Sequence, residues 1–380
     1  MVSPAVTTRD VRRFIDFPRS IYANDPSWVA PFPGEVRKRL DPTRNRFYAT
    51  ARRELFLAHR DGVAVGTVAA IIDDARNEAL GETVGYFGYF ETVDDPLVAR
   101  ALIGQAARWL MAAGASTVRG PVNGSAYDEI GVLVEGFGTR PALWQGHHPQ
   151  YYQRLLEEMS LIPFDDELAY EITYDDIGRC IDNLPDPLLR VAEWARGKGA
   201  TLRSPTAKSW NDDIAIAHRL YVRSHRTIPG HPGMSFEQFA SVARSMRKVI
   251  DLNLAVVVEV DGEPVGFALA VPEVNEALAR CGSVRTMWTP LRLMRELRRV
   301  RSVSLKLLGV LPEYRRRGLD ALMCVELARR FVERGYERCE MSLVSERNSP
   351  MTAVLGRVGA RIYRRYRVYE APASVLSELD

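Results

Sequence analysis

The chain has 380 residues, of which 46% are hydrophobic and 26% are charged, and its formal net charge is +3. This composition is that of a globular protein with a buried core, and at this length two domains are expected. The small net charge excludes binding of nucleic acid through overall charge, so we expect no nucleic-acid partner.

The cysteine pattern and the hydropathy of the chain narrow its class further. The four cysteines lie far apart, with no CxxC pair and no Cys/His cluster, so we expect reduced thiols, no disulfide and no metal site. The N-terminal stretch MVSPAVTTRDVRRFIDFPRS lacks the apolar core of a signal peptide, and no run of about 18 apolar residues could span a membrane. We therefore predict a cytoplasmic protein, with peripheral attachment to the inner membrane surface as an open alternative.

A β-hairpin is predicted in LFLAHRDGVAVGTVAAIID, residues 55–73, where two apolar runs flank the turn dipeptide Asp61-Gly62. The same pattern returns in LAVVVEVDGEPVGFALAVP, residues 254–272, around Asp261-Gly262. The match indicates an internal repeat.

Two further pairs of stretches extend this repeat. The helical pattern of residues 102–116 resembles that of 324–338, and each is ended by a glycine. Residues 147–161 resemble residues 346–360 in the same way. The chain is therefore predicted to hold two copies of one α/β unit, a first domain in residues 1–170 and a second in residues 171–380.

The first copy contains a polar, glycine-rich insertion, GPVNGSAYDEIG, at residues 120–131. Long loops of this composition often carry function. Candidates for proton transfer in and after it are Tyr127, Asp128, Glu129 and His147. A histidine that precedes a helix can equally cap it, so a structural role for His147 stays open.

The second copy contains a basic insertion, in which a short amphipathic helix is predicted within residues 288–301. Leu293, Met294, Leu297 and Val300 fall at helical spacing, and arginines cover the remaining positions. Such a helix suits an anionic membrane surface or a cover over an acyl chain. The alternative is a surface helix whose apolar stripe packs on its own domain.

An anion site is predicted in LGVLPEYRRRGLDAL, residues 308–322, where an apolar strand, Pro312, an arginine run, Gly318 and a helical pattern follow one another. The start of a helix offers unsatisfied N–H groups and a partial positive charge to a phosphate. Gly318 would let the backbone approach the ligand closely, and the arginines add charge. A solvated basic turn is the alternative.

This segment resembles motif A of the Gcn5-related N-acetyltransferases (GNAT), R/Q-x-x-G-x-G/A, with Arg315 in the first place and Gly318 in the fourth. Asp320 stands in the sixth place, where the family has Gly or Ala. Downstream, EMSLVSERNSPMTAVLGRVGARIYRRYRVYE resembles motif B, with Asn348 in the place of the family's frequent asparagine. The whole chain resembles a bacterial family of tandem GNAT proteins.

The resemblance implies an acyl-coenzyme A cofactor, acetyl-CoA or a longer acyl-CoA, bound by the second copy. The backbone N–H of Val310 is the implied oxyanion donor. The place of the family's general-acid tyrosine is taken by Leu355, so the usual acid is absent. The residues implied in cofactor binding are Leu308, Gly309, Val310, Arg315, Arg316, Arg317, Gly318, Leu319, Asp320 and Asn348.

The first copy is predicted to be a degenerate GNAT-like domain without a cofactor site. Glu91, Asp94 and Asp95 stand at its equivalent loop, and we expect their carboxylates to repel a pyrophosphate. The predicted fold class is accordingly α/β (α+β), with two tandem acyl-CoA N-acyltransferase folds whose mixed sheets are flanked by helices.

The predicted function is acyl-CoA-dependent transfer of an acetyl or longer acyl group to the primary amine of a small-molecule or lipid acceptor. One alternative is the transfer of a long acyl chain to a lipid amine, such as a sphingoid base, at the membrane surface, as in a ceramide synthase. A second alternative is a non-catalytic protein that binds acyl-CoA.

Overall fold

The computed structural model describes residues 1–125, 128–173, 184–226, 233–247, 249–282 and 288–380. The chain forms two compact units, unit 1 with Met1–Leu168 and Arg364–Asp380, and unit 2 with Ala169–Tyr363. The C-terminal segment Arg364–Asp380 is thus grouped with unit 1. The division of the sequence into two repeated domains, residues 1–170 and 171–380, stays a prediction. Helices flank mixed strand pairings in each unit, which confirms the predicted α/β class.

Unit 1 begins with a short strand and three helices and continues with alternating strands and helices. Its last strand and helix come from the C-terminal segment. In chain order the elements are β1 (Val2–Pro4), α1 (Thr8–Asp16), α2 (Pro18–Ile21), α3 (Pro33–Leu40), β2 (Ala51–Arg60), β3 (Val63–Asp73), α4 (Asp74–Leu80), β4 (Val84–Thr92), α5 (Pro96–Ala112), β5 (Thr117–Gly120), β6 (Val132–Glu135), α6 (Tyr151–Glu157), β7 (Ile162–Thr173), β13 (Arg361–Pro372) and α14 (Ala373–Ser377). The division between the units falls within β7 and within β13.

In unit 1, strands β1 to β4 pair antiparallel in sequence order, and β5 pairs antiparallel with the C-terminal part of β13. Strands β4 and β5 pair in parallel over only three residues, Val84–Tyr86 against Thr117–Arg119. A register shift between Thr67 and Ala69 marks a bulge in the β3–β4 pairing. Helix α5 buries one side in the core of this unit, which includes Leu102 and Leu110.

Unit 2 repeats this arrangement. Its elements are α7 (Asp186–Gly197), β8 (Ala200–Arg203), α8 (Trp210–His225), α9 (Phe236–Met246), β9 (Ala255–Val260), β10 (Glu263–Pro272), α10 (Val274–Arg280), α11 (Thr289–Leu297), β11 (Ser302–Val310), α12 (Leu319–Glu333), β12 (Arg338–Ser345) and α13 (Ser349–Arg357).

In unit 2, strands β8 to β11 pair antiparallel, and β11 pairs in parallel with β12. The parallel pairing ends at Leu305 opposite Met341, although β11 continues to Val310 and β12 to Ser345. We call this end point the fork. The β10–β11 register also shifts here, and Lys306 is the extra residue of the bulge in β11.

The predicted repeat is visible in matching local geometry. The turn residues Asp61 and Gly62 have φ of 51° and 77°, and Asp261 and Gly262 have 54° and 79°. Two successive positive φ values are the mark of a type I′ hairpin turn, which Asp-Gly favours. Both units also have a bulged fourth strand and a short parallel pairing after it.

No helix within the described ranges is both long enough and apolar enough to cross a membrane.

Candidate functional site

The loop between β11 and α12 ends in a helix start that has no side-chain cap. Residues Pro312–Tyr314 form a 3-10 turn, and Gly318 is the N-cap of α12 in the left-handed region, with a φ of 67°. A glycine offers no side-chain oxygen to the first N–H groups of the helix. Because these donors and the helix dipole favour an anion, the N-terminus of α12 can accept a phosphate group.

The equivalent helix start in unit 1 is already occupied by the chain itself. Helix α5 begins only four positions after β4 ends at Thr92, and the N-cap Asp95 accepts a hydrogen bond of 2.9 Å from the N–H of Leu97. Pro96 at the first helical position has no N–H to offer. Asp95 therefore supplies an acceptor of the chain itself to the start of α5.

One part of the expectation for unit 1 is corrected by the structure. Glu91 does not lie in the loop with Asp94 and Asp95, because it belongs to strand β4. Its carboxylate Oε2 accepts hydrogen bonds from the hydroxyl groups of Tyr22 (2.8 Å) and Tyr152 (2.7 Å). Burial raises the pKa of Glu91 to about 8, so this group is held within unit 1 rather than presented to a pyrophosphate.

The three arginines of the motif have different roles. Arg315 donates from Nη2 to the backbone oxygen of Ser224 (2.6 Å) and from Nε to that of Val310 (3.4 Å), so it fastens the loop to α8 and to β11. The guanidinium of Arg317 lies over the ring of Tyr314, 4.9 Å from its centroid. Arg316 and Arg317 are exposed and supply the positive charge beside the start of α12.

Packing explains both glycines of the motif. A Cβ at Gly309 would lie 2.4 Å from Oγ of Ser224 on α8, and a Cβ at Gly318 would lie 2.7 Å from Cγ1 of Val191 on α7. In the sequence, Gly318 is expected to let the backbone approach a phosphate closely. The structure adds that α7 already occupies the space beside it.

The remaining predicted cofactor residues lie on the same elements. Leu308 and Val310 face Ala268 and Gly266 in the β10–β11 pairing, and Leu319 is buried at the start of α12. Asn348 is the N-cap residue of α13, and its N–H donates to the oxygen of Ser345.

Asp320 and Leu355 are two positions at which this sequence departs from the family pattern. Asp320 is the second residue of α12 and not its N-cap, a role that belongs to Gly318. A carboxylate in the first helical turn is favourable for the helix dipole. Leu355 is only 4% exposed and packs in the interior. A leucine side chain has no proton to donate.

Two catalytic candidates of the first copy, Asp128 and Glu129, accept hydrogen bonds within their own loop. Asp128 accepts from the N–H (3.0 Å) and the hydroxyl (2.8 Å) of Ser125, and Glu129 accepts from Nδ2 of Asn123 (3.0 Å). Burial raises the pKa of Glu129. Tyr127 lies outside the described residues. The predicted role of Asp128 and Glu129 in proton transfer stays a prediction.

His147 is held between two charged partners. Its Nδ1 accepts from Nη2 of Arg364 (2.9 Å), because a guanidinium can only donate. Its Nε2 then carries the proton and donates to Oδ2 of Asp25 (2.6 Å). Both ring nitrogens are engaged by the protein in this arrangement, and the role of His147 in proton transfer stays a prediction.

The neighbouring His148 predicts a pH dependence of stability. Burial lowers its pKa from 6.5 to about 3, while Nδ1 accepts from the N–H of Leu133 at 3.2 Å. The folded state favours the neutral ring, so its stabilising contribution is present above pH 6.5 and is lost as the pH falls. Urea unfolding at pH 6.5 to 4 should lose about 1.4 kcal/mol per pH unit from this site.

The matched variant is His148→Phe, which removes the titrating group and keeps an aromatic ring. Its unfolding free energy should fall less steeply with decreasing pH than that of the unchanged protein. Equal slopes in the two proteins would contradict the assignment.

The described cysteines and the other metal-binding residue types give no indication of a metal site. Cys281, Cys324 and Cys339 are free, and Cys180 lies outside the described residues. In the part of the chain that the structure describes, no group of three His, Cys, Asp or Glu residues is arranged to hold a metal ion.

The sequence points to Glu91 but does not predict its burial, for which the signal is a carboxylate within the apolar strand YFGYFET. It does not predict the network around Lys306 at the fork, because the two glutamates of that network, Glu273 and Glu340, are more than 30 positions away in the sequence.

Sequence comparisons find similar proteins over nearly the whole length. The chain is 32% identical over 376 residues to the protein named bacterial ceramide synthase from Caulobacter vibrioides, covering 97% of this chain and 96% of that protein. It is 29% identical over 376 residues to protein YghO from Escherichia coli, covering 97% and 95%. No protein-family model matches the chain.

Structural comparison finds the same fold in a tandem GNAT protein from the clavulanic acid biosynthesis pathway. The TM-score is 0.59 at 14% identity, with 98% of each chain covered. This likeness shows the fold, and the full-length relationship to the Caulobacter protein shows the family. The chain therefore belongs to the family of bacterial ceramide synthase and has the tandem GNAT fold, and it is an acyl-CoA-dependent N-acyltransferase that acts on an amine.

Proposed function

We propose that the protein transfers a long acyl chain from acyl-CoA, bound by unit 2, to the amino group of a sphingoid-type lipid. The name of the Caulobacter relative supports this choice, since a ceramide is a sphingoid base acylated on nitrogen. The observation that carries the proposal is the surface of helix α11.

Helix α11 presents a row of exposed apolar side chains. Trp288, Leu291 and Met294 are 67%, 63% and 61% exposed. Val300 just after the helix is buried, and Leu293 and Leu297 are half-buried. The predicted stripe therefore packs on the unit, except for Met294, and a second apolar row faces solvent.

Positive charge surrounds this exposed row. Arg295, Arg298 and Arg299 are exposed, and Glu296, the acidic residue of the helix, is buried and lies 3.5 Å from Arg299. An apolar row beside arginines matches an anionic bilayer surface, where apolar burial and attraction to lipid charge add. Lipid substrates are available at such a surface.

The proposed cofactor site lies on β11, the following loop and α12. The pyrophosphate would be held by the N–H groups of Gly318, Leu319 and Asp320, beside Arg316 and Arg317. The pantetheine arm would run along Leu308 and Gly309, and the N–H of Val310 would stabilise the oxyanion. The open start of α12, in contrast to the self-capped start of α5, supports this assignment.

The direct test compares acyl donors and acceptors. Palmitoyl-CoA and acetyl-CoA are each offered with sphinganine in mixed micelles and with spermidine in buffer, and N-acylated products are measured by mass spectrometry. We expect the palmitoyl amide of sphinganine as the main product. Faster acetylation of spermidine would support a small soluble acceptor instead. Membership in a transferase family already argues against the alternative of a non-catalytic binder.

Membrane binding through α11 gives a further prediction. The double change Leu291→Glu and Met294→Glu should weaken sedimentation with phosphatidylglycerol vesicles by at least about tenfold, because two apolar side chains that would enter the bilayer are lost and two carboxylates are repelled by the lipid charge. Val63→Glu is the matched control, since Val63 is 65% exposed on unit 1. Equal vesicle binding by the double variant and the unchanged protein would contradict membrane docking by α11.

A further inference from the structure

A buried polar network lies at the fork in unit 2. The Nζ of Lys306 on β11 is 3.2 Å from Oε2 of Glu340 and 3.3 Å from Oγ of Ser342, both on β12. Lys306 and Ser342 are the residues that directly follow the last paired residues of the two strands. The ammonium group therefore bridges β11 and β12 at the point where they separate.

The network continues to a second carboxyl group. The hydroxyl of Ser304 lies 2.8 Å from Oε2 of Glu340 and is also hydrogen bonded to Oε2 of Glu273, which follows β10. The side chains of Lys306 and Glu340 are 2% and 0% exposed, and Glu273 and Ser304 are buried as well. The whole network is thus withdrawn from water.

Hydrogen-bond counting places a proton in this network. A serine hydroxyl donates one hydrogen, yet Ser304 contacts two carboxyl oxygens, so one of the carboxyl groups must be the donor. Glu340 is the carboxyl group that contacts the ammonium of Lys306, at 3.2 Å, so we assign the proton to the other carboxyl group, Glu273, which then donates to Ser304. Burial raises the pKa of Glu273, and so does the nearby Glu340, while Lys306 and the hydrogen bonds from Ser304 and from the N–H of Asn275 lower it in part.

A purely structural role does not account well for this arrangement. Buried ion pairs are often no more stabilising than apolar residues of the same volume. Here Lys306 lies on β11 two positions before Leu308, where the segment along which the proposed thioester would bind, residues 308–310, begins. The reaction also lacks an acid at its usual place, because that position is the buried Leu355.

We propose that Lys306 is the general acid that protonates the departing coenzyme A thiolate, and that Glu273 resupplies its proton through Ser304 and Glu340. This inference rests on the proposed cofactor site of unit 2. As the acceptor nitrogen bonds to the carbonyl carbon, the C–S bond breaks and its electron pair goes to sulfur, which takes a proton from Lys306.

Resupply of a proton by Glu273 makes the proton transfer from Lys306 to the thiolate favourable. An ordinary lysine ammonium is a weaker acid than a thiol, with pKa values of about 10.4 and about 8.5, so the lysine must be reprotonated as it gives up its proton. Glu273 supplies that proton and becomes a carboxylate. The proton released by the acceptor nitrogen returns to Glu273, so the cycle is balanced. Arg338, two positions before Glu340 on β12, is a further charged group that interacts with Glu340.

The test uses Glu273→Gln, which resembles a protonated glutamic acid in shape but has no proton to give. We expect unchanged unfolding and an unchanged Kd for coenzyme A by calorimetry. We expect kcat with palmitoyl-CoA and sphinganine to fall by at least about tenfold. The decline of the rate at high pH, where Glu273 loses its proton, should disappear in the variant. A structural role predicts no change in kcat, because glutamine replaces a neutral acid.

A second variant tests Lys306 without leaving an unpaired charge. Lys306→Met combined with Glu340→Gln removes the acid and its partner together, and should lower kcat at least as much. Glu158→Gln, which alters an exposed ion pair with Arg154 in unit 1, is the control that should keep full activity.

The outcomes separate this inference from the proposed function. If the unchanged protein acylates sphinganine and Glu273→Gln keeps kcat within about twofold, the acid relay is wrong and the proposed function stands. If the unchanged protein acylates no lipid amine, the proposed function fails and the relay fails with it. Should the double variant not fold, Glu273→Gln alone decides.

Discussion

Replacing Glu340 with glutamine should lower the free energy of unfolding by about 3–5 kcal/mol. The change leaves the ammonium of Lys306 without the carboxylate 3.2 Å away, in a place where both side chains are almost fully buried. A charge that is kept from water and loses its partner is costly, because no solvent replaces the lost interaction. Urea unfolding followed by circular dichroism measures the effect.

Two comparisons show whether the unpaired charge is the cause. Adding Lys306→Met to Glu340→Gln removes the remaining charge and should restore most of the lost stability. Glu158→Gln breaks an exposed ion pair with Arg154 and should cost at most about 1 kcal/mol. A Glu340→Gln protein as stable as the unchanged one would show that Lys306 is not held as an ion at the fork.

Gly318→Ala should lower the free energy of unfolding by roughly 2–4 kcal/mol. The residue has a φ of 67°, which costs an alanine about 1–2 kcal/mol. The added Cβ would also lie 2.7 Å from Cγ1 and 2.9 Å from the backbone oxygen of Val191, so α7 must shift. The affinity for coenzyme A should fall in parallel, because the N-cap of α12 moves with it.

Two other glycines of unit 2 separate these causes. Gly359 has a φ of 77° and nothing within 4 Å of a Cβ, so Gly359→Ala should show only the cost of the backbone conformation. Gly356 lies in α13 with an equally open space, and Gly356→Ala should stabilise by about 0.5–1 kcal/mol. If Gly318→Ala costs no more than Gly359→Ala, the contact with α7 is unimportant.

Changes at the exposed arginines Arg316 and Arg317 test the cofactor site more directly than a large side chain at residue 318. A large side chain at residue 318 would disturb the packing of Val191 on α7, so a loss of binding could not be assigned to the cofactor. Arg316→Glu and Arg317→Glu alter exposed charges beside the same helix start. These changes address the anion site and leave the packing between helices intact.

Local patterns were sufficient to predict the repeat and its elements. The Asp-Gly turns of both hairpins were read correctly because turn type depends on the turn residues themselves. The glycines Gly114 and Gly335 follow α5 and α12 as predicted, with φ of 99° and 72°. The helix start at Gly318 was likewise visible in the order of strand, loop and helix.

Side-chain contacts are harder to predict, because the partners are distant in the sequence. Arg315 stands in a run of three arginines, yet its guanidinium donates to the backbone oxygen of Ser224, which lies 91 positions earlier. His147 is a candidate for proton transfer in the sequence, and in the structure its ring accepts from Arg364, 217 positions later. Only the packed chain shows which acceptors each donor meets.

The amino-acid sequence by itself determined the hairpins and the helix start suited to a phosphate, because each depends on residues that are close in the sequence. The repetition of these local patterns determined the two copies. The tertiary structure alone decided the network at the fork, where Lys306 meets Glu340 34 positions away and Ser304 meets Glu273 31 positions away. Strands β11 and β12 and the residue that follows β10 bring these groups together, and burial in that place raises the pKa of Glu273.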